Sequence, residues 1–178
     1  QNAVIIFDSA NEDFIRDSSL PTSIYAVDGA RECAIEICSL SKTAGFTGMR
    51  CGYTVIPNEL KAYAKDGTSV SVSQIWRRRQ GSKFNGVSYP VQCAAAAVFT
   101  EEGLRQTREC IDYYMENARI MSKTCDELGI SYTGGKNSPY IWLKCPNGMG
   151  SWEFFDYLLN EIQVVGTPGE GFGPNGKG

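Results

Sequence analysis

The densest run of chemically capable side chains is Ser39–Arg50, which reads Ser-Leu-Ser-Lys-Thr-Ala-Gly-Phe-Thr-Gly-Met-Arg. Its lysine, Lys42, follows two hydroxyls and precedes a glycine-containing loop that ends in an arginine. A lysine amine can attack an aldehyde to form an imine, whereas hydroxyls and a guanidinium bind phosphate. The run therefore predicts a site for a phosphorylated aldehyde, with Ser39, Ser41 and Arg50 as candidate phosphate ligands.

A carboxylate at the end of an apolar run supports this interpretation over that of a surface loop with a solvated lysine. Val4–Phe7 is continuously apolar and ends at Asp8, which is typical of a parallel strand. A second predicted strand, Ala34–Cys38, ends directly before the lysine run. Ligands bind beyond the carboxyl ends of such strands, so we expect Asp8 and Lys42 at one edge. The alternative role for Asp8 is a helix N-cap.

Short strands that alternate with helices predict an α/β fold. The first strand is expected to be buried and to have begun already at Gln1. The pattern changes to α+β in the last part of the chain, from the Gly134-Gly135 turn onward. The further predicted strands are Cys51–Ile56, Tyr140–Lys144 and Val164–Val165, and the predicted helices are Glu59–Ala64, Thr68 to about Gln80, Val91–Phe99 (buried), Thr100 to about Leu128 and Ser151–Leu159.

Composition excludes several classes of function. The chain has no histidine, which removes Ser-His-Asp and Cys-His nucleophile systems and any His-ligated zinc, and we predict no metal site. A net charge of -3 gives no general reason to bind nucleic acid or an anionic membrane, and no apolar stretch is long enough to span one. Seven cysteines, an odd number without a Cys-x-x-Cys pair, favour a reducing, cytoplasmic compartment.

Several separated motifs resemble fold-type-I aminotransferases and, within them, the LL-diaminopimelate aminotransferases. The lysine run alone indicates only the superfamily. The specific sequence Lys-Thr-Ala-Gly-Phe-Thr-Gly and two later glycine motifs resemble the LL-diaminopimelate aminotransferases in particular. The motifs are Phe7–Ala10, Ser39–Arg50, Gly52–Pro57, Phe84–Gly86, Gly134–Tyr140, Gly166–Gly169 and Gly171–Gly173.

The resemblance implies pyridoxal 5'-phosphate as cofactor, with Lys42 as the catalytic lysine that bonds it. Asp8 would pair with the pyridine nitrogen, and Ser39, Ser41 and Arg50 would bind the phosphate. Asn85 matches a residue that reaches across a homodimer interface, although Asn-Gly is also a common turn. The implied substrates are an amino acid and a 2-oxo acid, namely diaminopimelate or tetrahydrodipicolinate with glutamate or 2-oxoglutarate in lysine biosynthesis.

The resemblance also implies that residues 1–99 form part of a large cofactor-binding domain with a mostly parallel sheet. Residues 100–178 would be an interdomain helix and part of a smaller α+β domain. One departure is Asn11, which stands where the family has a tyrosine that donates to the cofactor's phenolic oxygen. We expect the chain to be an incomplete piece of the catalytic unit. The alternatives are another aminotransferase or carbon–sulfur lyase of the same fold, or an inactive truncated domain.

Overall fold

The computed structural model describes residues 3–178, which form two compact units. The first unit runs to Glu116 and includes Lys136–Ser138, and the second comprises Asn117–Gly135 and Pro139–Gly178. The mixture of short strands and helices confirms the α/β class. The domain boundary expected between residues 99 and 100 stays a prediction.

Three strands form the sheet of the first unit in the order β1-β2-β3, with β1 at Ile5–Asp8, β2 at Ala34–Ser39 and β3 at Gly52–Val55. Strands β1 and β2 are parallel, as predicted, whereas β3 runs antiparallel to β2. The first strand is more exposed than expected, with Ile6 69% exposed, and within the described residues β1 is an edge strand. The expectation that it begins at Gln1 lies outside the described residues.

Two short helices flank β2, α1 at Ala30–Cys33 before it and α2 at Leu40–Thr43 after it. The core of this unit lies directly behind the second of them. Leu40 and Phe46 are buried there against Val98, and the cluster is completed by Ala44, Cys51, Ala94 and Ala95. The loop after Lys42 is therefore anchored by apolar packing.

A hairpin replaces the helix predicted at Glu59–Ala64, so that prediction was wrong. Strand β4 at Lys61–Tyr63 pairs antiparallel with β5 at Ser69–Ser71. The turn between them uses Gly67 at φ +84°, and the carboxylate of Asp66 accepts the Thr68 N–H at 2.9 Å. The Asp-Gly pair is a strong hairpin signal, and pairing with β5 outweighed the local helical pattern.

Three longer helices follow, α3 at Val72–Lys83, α4 at Tyr89–Val98 and α5 at Glu101–Glu127. All three were anticipated, but α3 begins at Val72 rather than at Thr68, because Ser69–Ser71 form β5. Helix α4 is less buried than its composition suggested, with Val98 its one buried residue. The buried positions of α5 are Ile111, Ala118 and Cys125, which recur every seven residues along one face. No helix in residues 3–178 combines the length and apolar character that crossing a membrane requires.

The second unit contains an antiparallel pair, β6 at Tyr132–Gly134 and β7 at Ile141–Leu143, and helix α6 at Ser151–Tyr157. The helix continues as a wider π turn over Leu158–Ile162. The predicted strand at Val164–Val165 is wrong, because the Val164 N–H bonds back to the Leu158 carbonyl at 3.0 Å and closes the helix end.

Candidate functional site

The parallel pairing of β1 and β2 brings Asp8 and Ser39 to one edge of the sheet. Asp8 lies opposite Ile37, and the Ser9 N–H continues the ladder by donating to the Ile37 carbonyl at 2.8 Å. Side chains alternate between faces along a strand, so Asp8, Ile37 and Ser39 share one face. The carboxylate and the first hydroxyl of the lysine run therefore lie on the same face, at the carboxyl ends of both strands.

Ser39 also starts the helix that carries the lysine. Its hydroxyl oxygen accepts the Ser41 N–H at 3.2 Å, which caps α2. Lys42 is exposed in the last turn of this helix, and Ser41 is half-buried. The cap fixes Lys42 close to the strand end, while the Ser39 hydroxyl can still donate its own hydrogen to an anion.

The glycine-containing loop folds back onto α2 through its backbone. The Phe46 N–H donates to the Leu40 carbonyl at 3.1 Å, and the Thr47 hydroxyl donates to the Ser41 carbonyl at 3.3 Å. Gly45 has φ +70°, a left-handed conformation that glycine adopts without steric cost. These hydrogen bonds hold the loop against the helix that carries Lys42, and Arg50 follows directly after the loop.

Arg50 has a left-handed backbone conformation, with φ +57°. A side chain with a Cβ adopts this region rarely, and such strained residues cluster at functional sites. The Arg50 N–H donates to the Phe46 carbonyl at 3.0 Å, and Nη1 donates to the Thr47 carbonyl at 2.8 Å. The guanidinium is thus held beside the loop with further N–H groups for an anion. Its phosphate role stays a prediction.

The turn after Asp8 is tied to the lysine helix. The Asp8 Oδ1 accepts the Ala10 N–H at 3.0 Å, and the Thr43 hydroxyl donates to the Asp13 carboxylate at 2.5 Å. Asn11 lies in this turn with an exposed side chain. The structure therefore joins Asp8 and Asn11 to the segment that holds Lys42.

Asn85 lies elsewhere, on an exposed turn after α3. It has φ +68°, and Gly86 beside it has φ +99°. The Asn85 N–H donates to the Gln80 carbonyl at 2.8 Å. Among the described residues no recorded contact places it beside Asp8 or Lys42, so its role across an interface stays a prediction.

Sequence reasoning missed Glu12, which lies beside this group. It lines a cleft of about 220 Å³ together with Ser39 and Thr43. Its Oε2 is buried with no hydrogen-bond partner among the described residues. Burial, helped by the neighbouring charges of Asp13, Glu36 and Asp8, raises the pKa of Glu12 to about 7. The sequence signal that could have pointed to Glu12 is the acidic pair Glu12-Asp13, which follows closely after the aspartate at the end of the first strand.

Glu12 should make the protein less stable as the pH rises from about 4.5 to 7. In that window the folded state holds a proton that the unfolded state has lost, so raising the pH favours unfolding. Glu12→Gln removes this dependence and should be more stable than wild type at pH 8 by about 1 kcal/mol, after allowing for partial solvent screening. Urea unfolding at pH 5 and pH 8 measures the difference. An equal difference at both pH values would contradict the assignment.

The side chains at this edge fit a phosphorylated aldehyde that also carries a basic ring nitrogen. An amine can bond the aldehyde carbon, hydroxyls and a guanidinium suit the phosphate, and a carboxylate suits a protonated ring nitrogen. Asp8 and Ser39 end the two parallel strands, and Ser41, Lys42 and Arg50 come after the second of them. The side chains with this chemistry are Asp8, Ser39, Ser41, Lys42 and Arg50.

Comparison with known proteins gives a consistent result. The profile of the family described as "Aminotransferase class I and II" matches residues 1–178. The L,L-diaminopimelate aminotransferase of Chlamydomonas reinhardtii is 41% identical, with a TM-score of 0.87 over 98% of this chain and 42% of that one. Substrate-bound BacF of Bacillus subtilis is 30% identical, with a TM-score of 0.78 over 99% of this chain and 42% of that one.

A further similar structure is described as a probable N-succinyldiaminopimelate aminotransferase from Thermus thermophilus. It is 27% identical, with a TM-score of 0.76 over 98% of this chain and 43% of that one. The present chain thus spans less than half the length of each of these three relatives.

Proposed function

We propose, from the premise that the chain belongs to the class I and II aminotransferases, that the whole protein moves an amino group from an amino acid to a 2-oxo acid. The family depends on pyridoxal phosphate. When bound, this cofactor supplies an electron sink for the bond that breaks at the substrate's Cα. The observation that carries the proposal is the shared edge at which Asp8, Ser39 and the Lys42 helix meet.

Lys42 is proposed to act twice. Its amine would hold the cofactor by condensing with the aldehyde carbon, with loss of water, and the same amine, when free, would take the proton from the substrate's Cα. A base that moves a proton must lie within hydrogen-bond reach of it. The position of Lys42 in a capped turn directly after β2 supports this role, because the cap restrains the backbone that carries the amine.

Asp8 is proposed to hold a proton on the pyridine nitrogen. Its Oδ1 is oriented by the Ala10 N–H, and the second oxygen can face the ring. Ser39, Ser41 and Arg50 are proposed to bind the phosphate. Asn11 is proposed to donate an amide hydrogen to the phenolic oxygen, and its exposed position on the turn after Asp8 supports this.

The proposed amino donor is LL-diaminopimelate or glutamate, with lysine biosynthesis as the setting. The support is the higher identity to the Chlamydomonas L,L-diaminopimelate aminotransferase, 41% against 30% and 27% for the other two relatives. A panel of amino donors with 2-oxoglutarate tests this. Faster transfer from phenylalanine than from LL-diaminopimelate would overturn the substrate assignment and leave the class of reaction standing.

We further propose a homodimer in a reducing, cytoplasmic compartment. Asn85 presents its side chain outward on a left-handed turn, which is a suitable geometry for reaching a second copy. All seven cysteines are free thiols, which is expected where disulfides do not persist.

Arg50→Ala should weaken cofactor binding while leaving the fold intact. A charge-assisted hydrogen bond contributes about 1.5–3 kcal/mol, so the dissociation constant for pyridoxal phosphate should rise by on the order of ten- to a hundredfold. The control is Arg78→Ala, an exposed arginine on α3. Titration followed by cofactor absorbance measures both. Equal affinities in the two variants would remove Arg50 from the phosphate site.

A further inference from the structure

A buried carboxylate lies behind the candidate site. Glu36 occupies the middle of β2 and is 4% exposed. Its Oε1 accepts the Ser9 hydroxyl at 2.8 Å, and its Oε2 accepts the Ser23 hydroxyl at 2.6 Å. A buried carboxylate is costly unless hydrogen bonds compensate for the lost water. Both oxygens of Glu36 are compensated by serine hydroxyls from two other segments.

One of those serines directly follows Asp8. Ser9 is 3% exposed, and its backbone N–H donates to the Ile37 carbonyl at 2.8 Å. Glu36 therefore holds the Ser9 side chain while β2 holds its backbone. Asp8 and Ser9 are adjacent and project to opposite faces, so fixing Ser9 behind the sheet fixes the backbone from which Asp8 projects in front.

We propose that Glu36 is a positioning residue for the reaction. By holding Ser9, it fixes the direction of the Asp8 carboxylate toward the ring nitrogen of pyridoxal phosphate, without touching cofactor or substrate itself. The inference rests on the proposed function, because it requires Asp8 to be the partner of that nitrogen. A supporting shell of this kind is what holds an active-site group within a fraction of an ångström of its working geometry.

Stability alone is a weaker explanation for a carboxylate at this place. An apolar residue in the same buried position is often as stabilising as a hydrogen-bonded charge, or more so. The flanking residues of β2 on the same face are small and apolar, Ala34 and Cys38. An apolar residue could not make the directional hydrogen bond by which Glu36 holds Ser9, the residue after Asp8.

The test compares Ser9→Ala with Ser73→Ala in the whole protein. Ser73, on α3, is a matched control, since it is 5% exposed and its hydroxyl donates to Asn58 Oδ1 at 3.1 Å. Ser9→Ala should lower kcat by on the order of tenfold or more, because small errors in placing a reacting group are costly. KM, cofactor affinity and melting temperature should match those of Ser73→Ala.

A second pair of variants acts on the carboxylate itself. Glu36→Gln keeps the shape and one acceptor oxygen, and its amide can donate to the other serine hydroxyl, so kcat should stay within about threefold of wild type, by the retained hydrogen bonding. Glu36→Ala should repeat the loss seen in Ser9→Ala. The absorbance spectrum of the bound cofactor gives a readout apart from turnover. It should change in the same direction in Ser9→Ala and in Asp8→Asn.

Three results would count against the account, and they separate failure of this inference from failure of the proposed function. If Asp8→Asn is slow but Ser9→Ala behaves like Ser73→Ala, Glu36 does not position Asp8. If Ser9→Ala loses stability and cofactor together with rate, its role is structural and the inference is overturned. If Asp8→Asn itself has the rate and spectrum of wild type, the proposed role of Asp8 fails, and the inference fails with it.

Discussion

Lys42→Ala is expected to lower the rate of amino-group transfer by at least about a thousandfold, because this one side chain is proposed to supply both the amine that bonds the cofactor and the base that moves the Cα proton. Proton transfer by a positioned base alone contributes about a hundred- to ten-thousandfold. The backbone cap by Ser39 and the packing of Leu40 hold this turn independently of the lysine side chain. The variant should therefore fold normally.

Single-turnover kinetics with the amino donor in excess measure this loss. Lys65→Ala is the matched control, since Lys65 is exposed in the β4–β5 turn, away from α2. The control should keep the wild-type rate. A Lys42→Ala protein with a tenth or more of the wild-type rate would contradict the assignment of Lys42 as the base.

Asp8→Asn is expected to slow removal of the Cα proton by on the order of a hundredfold or more. Losing one charge-assisted contact at a site of developing charge commonly costs a few kcal/mol, which is roughly this factor in rate. The asparagine side chain can still accept the Ala10 N–H and preserve the turn after β1. Covalent attachment of the cofactor to Lys42 should be unaffected.

Asp66→Asn is a close control, because the two aspartates make the same local hydrogen bond. The Asp66 carboxylate accepts the Thr68 N–H at 2.9 Å, and the Asp8 carboxylate accepts the Ala10 N–H at 3.0 Å. It lies in the β4–β5 turn of the same unit. Deuterium exchange at the substrate's Cα reports the proton-transfer step in both variants. Equal exchange rates in Asp8→Asn and wild type would remove Asp8 from its proposed role.

The candidate site could be proposed from the sequence where its residues lie close together along the chain or directly at the end of a strand. Asp8 ends an apolar run, and Ser39, Lys42 and Arg50 follow the next strand within twelve residues. Strand ends and glycine-containing loops leave a local signal, and the parallel pairing of β1 with β2 brings the two signals together. The fold class followed from the same alternation of strands and helices.

What the sequence did not predict depends on contacts between distant segments. Glu36 interrupts an apolar strand, but only the folded chain shows that Ser9 and Ser23 reach it. The raised pKa of Glu12 depends on burial by the surrounding cleft. The hairpin around Gly67 was mistaken for a helix because Lys61–Tyr63 has helix-compatible residues, and pairing with Ser69–Ser71 decided its structure.

The measurement that most directly tests the central claim is reduction of the cofactor-bound protein with borohydride, followed by peptide mapping. Reduction fixes the cofactor on whichever lysine amine has bonded its aldehyde. We expect the pyridoxyl label on Lys42, because it is the lysine that the capped turn holds at the edge shared by Asp8 and Ser39. A label on Lys61, Lys65 or Lys83, with Lys42 unmodified, would contradict the account.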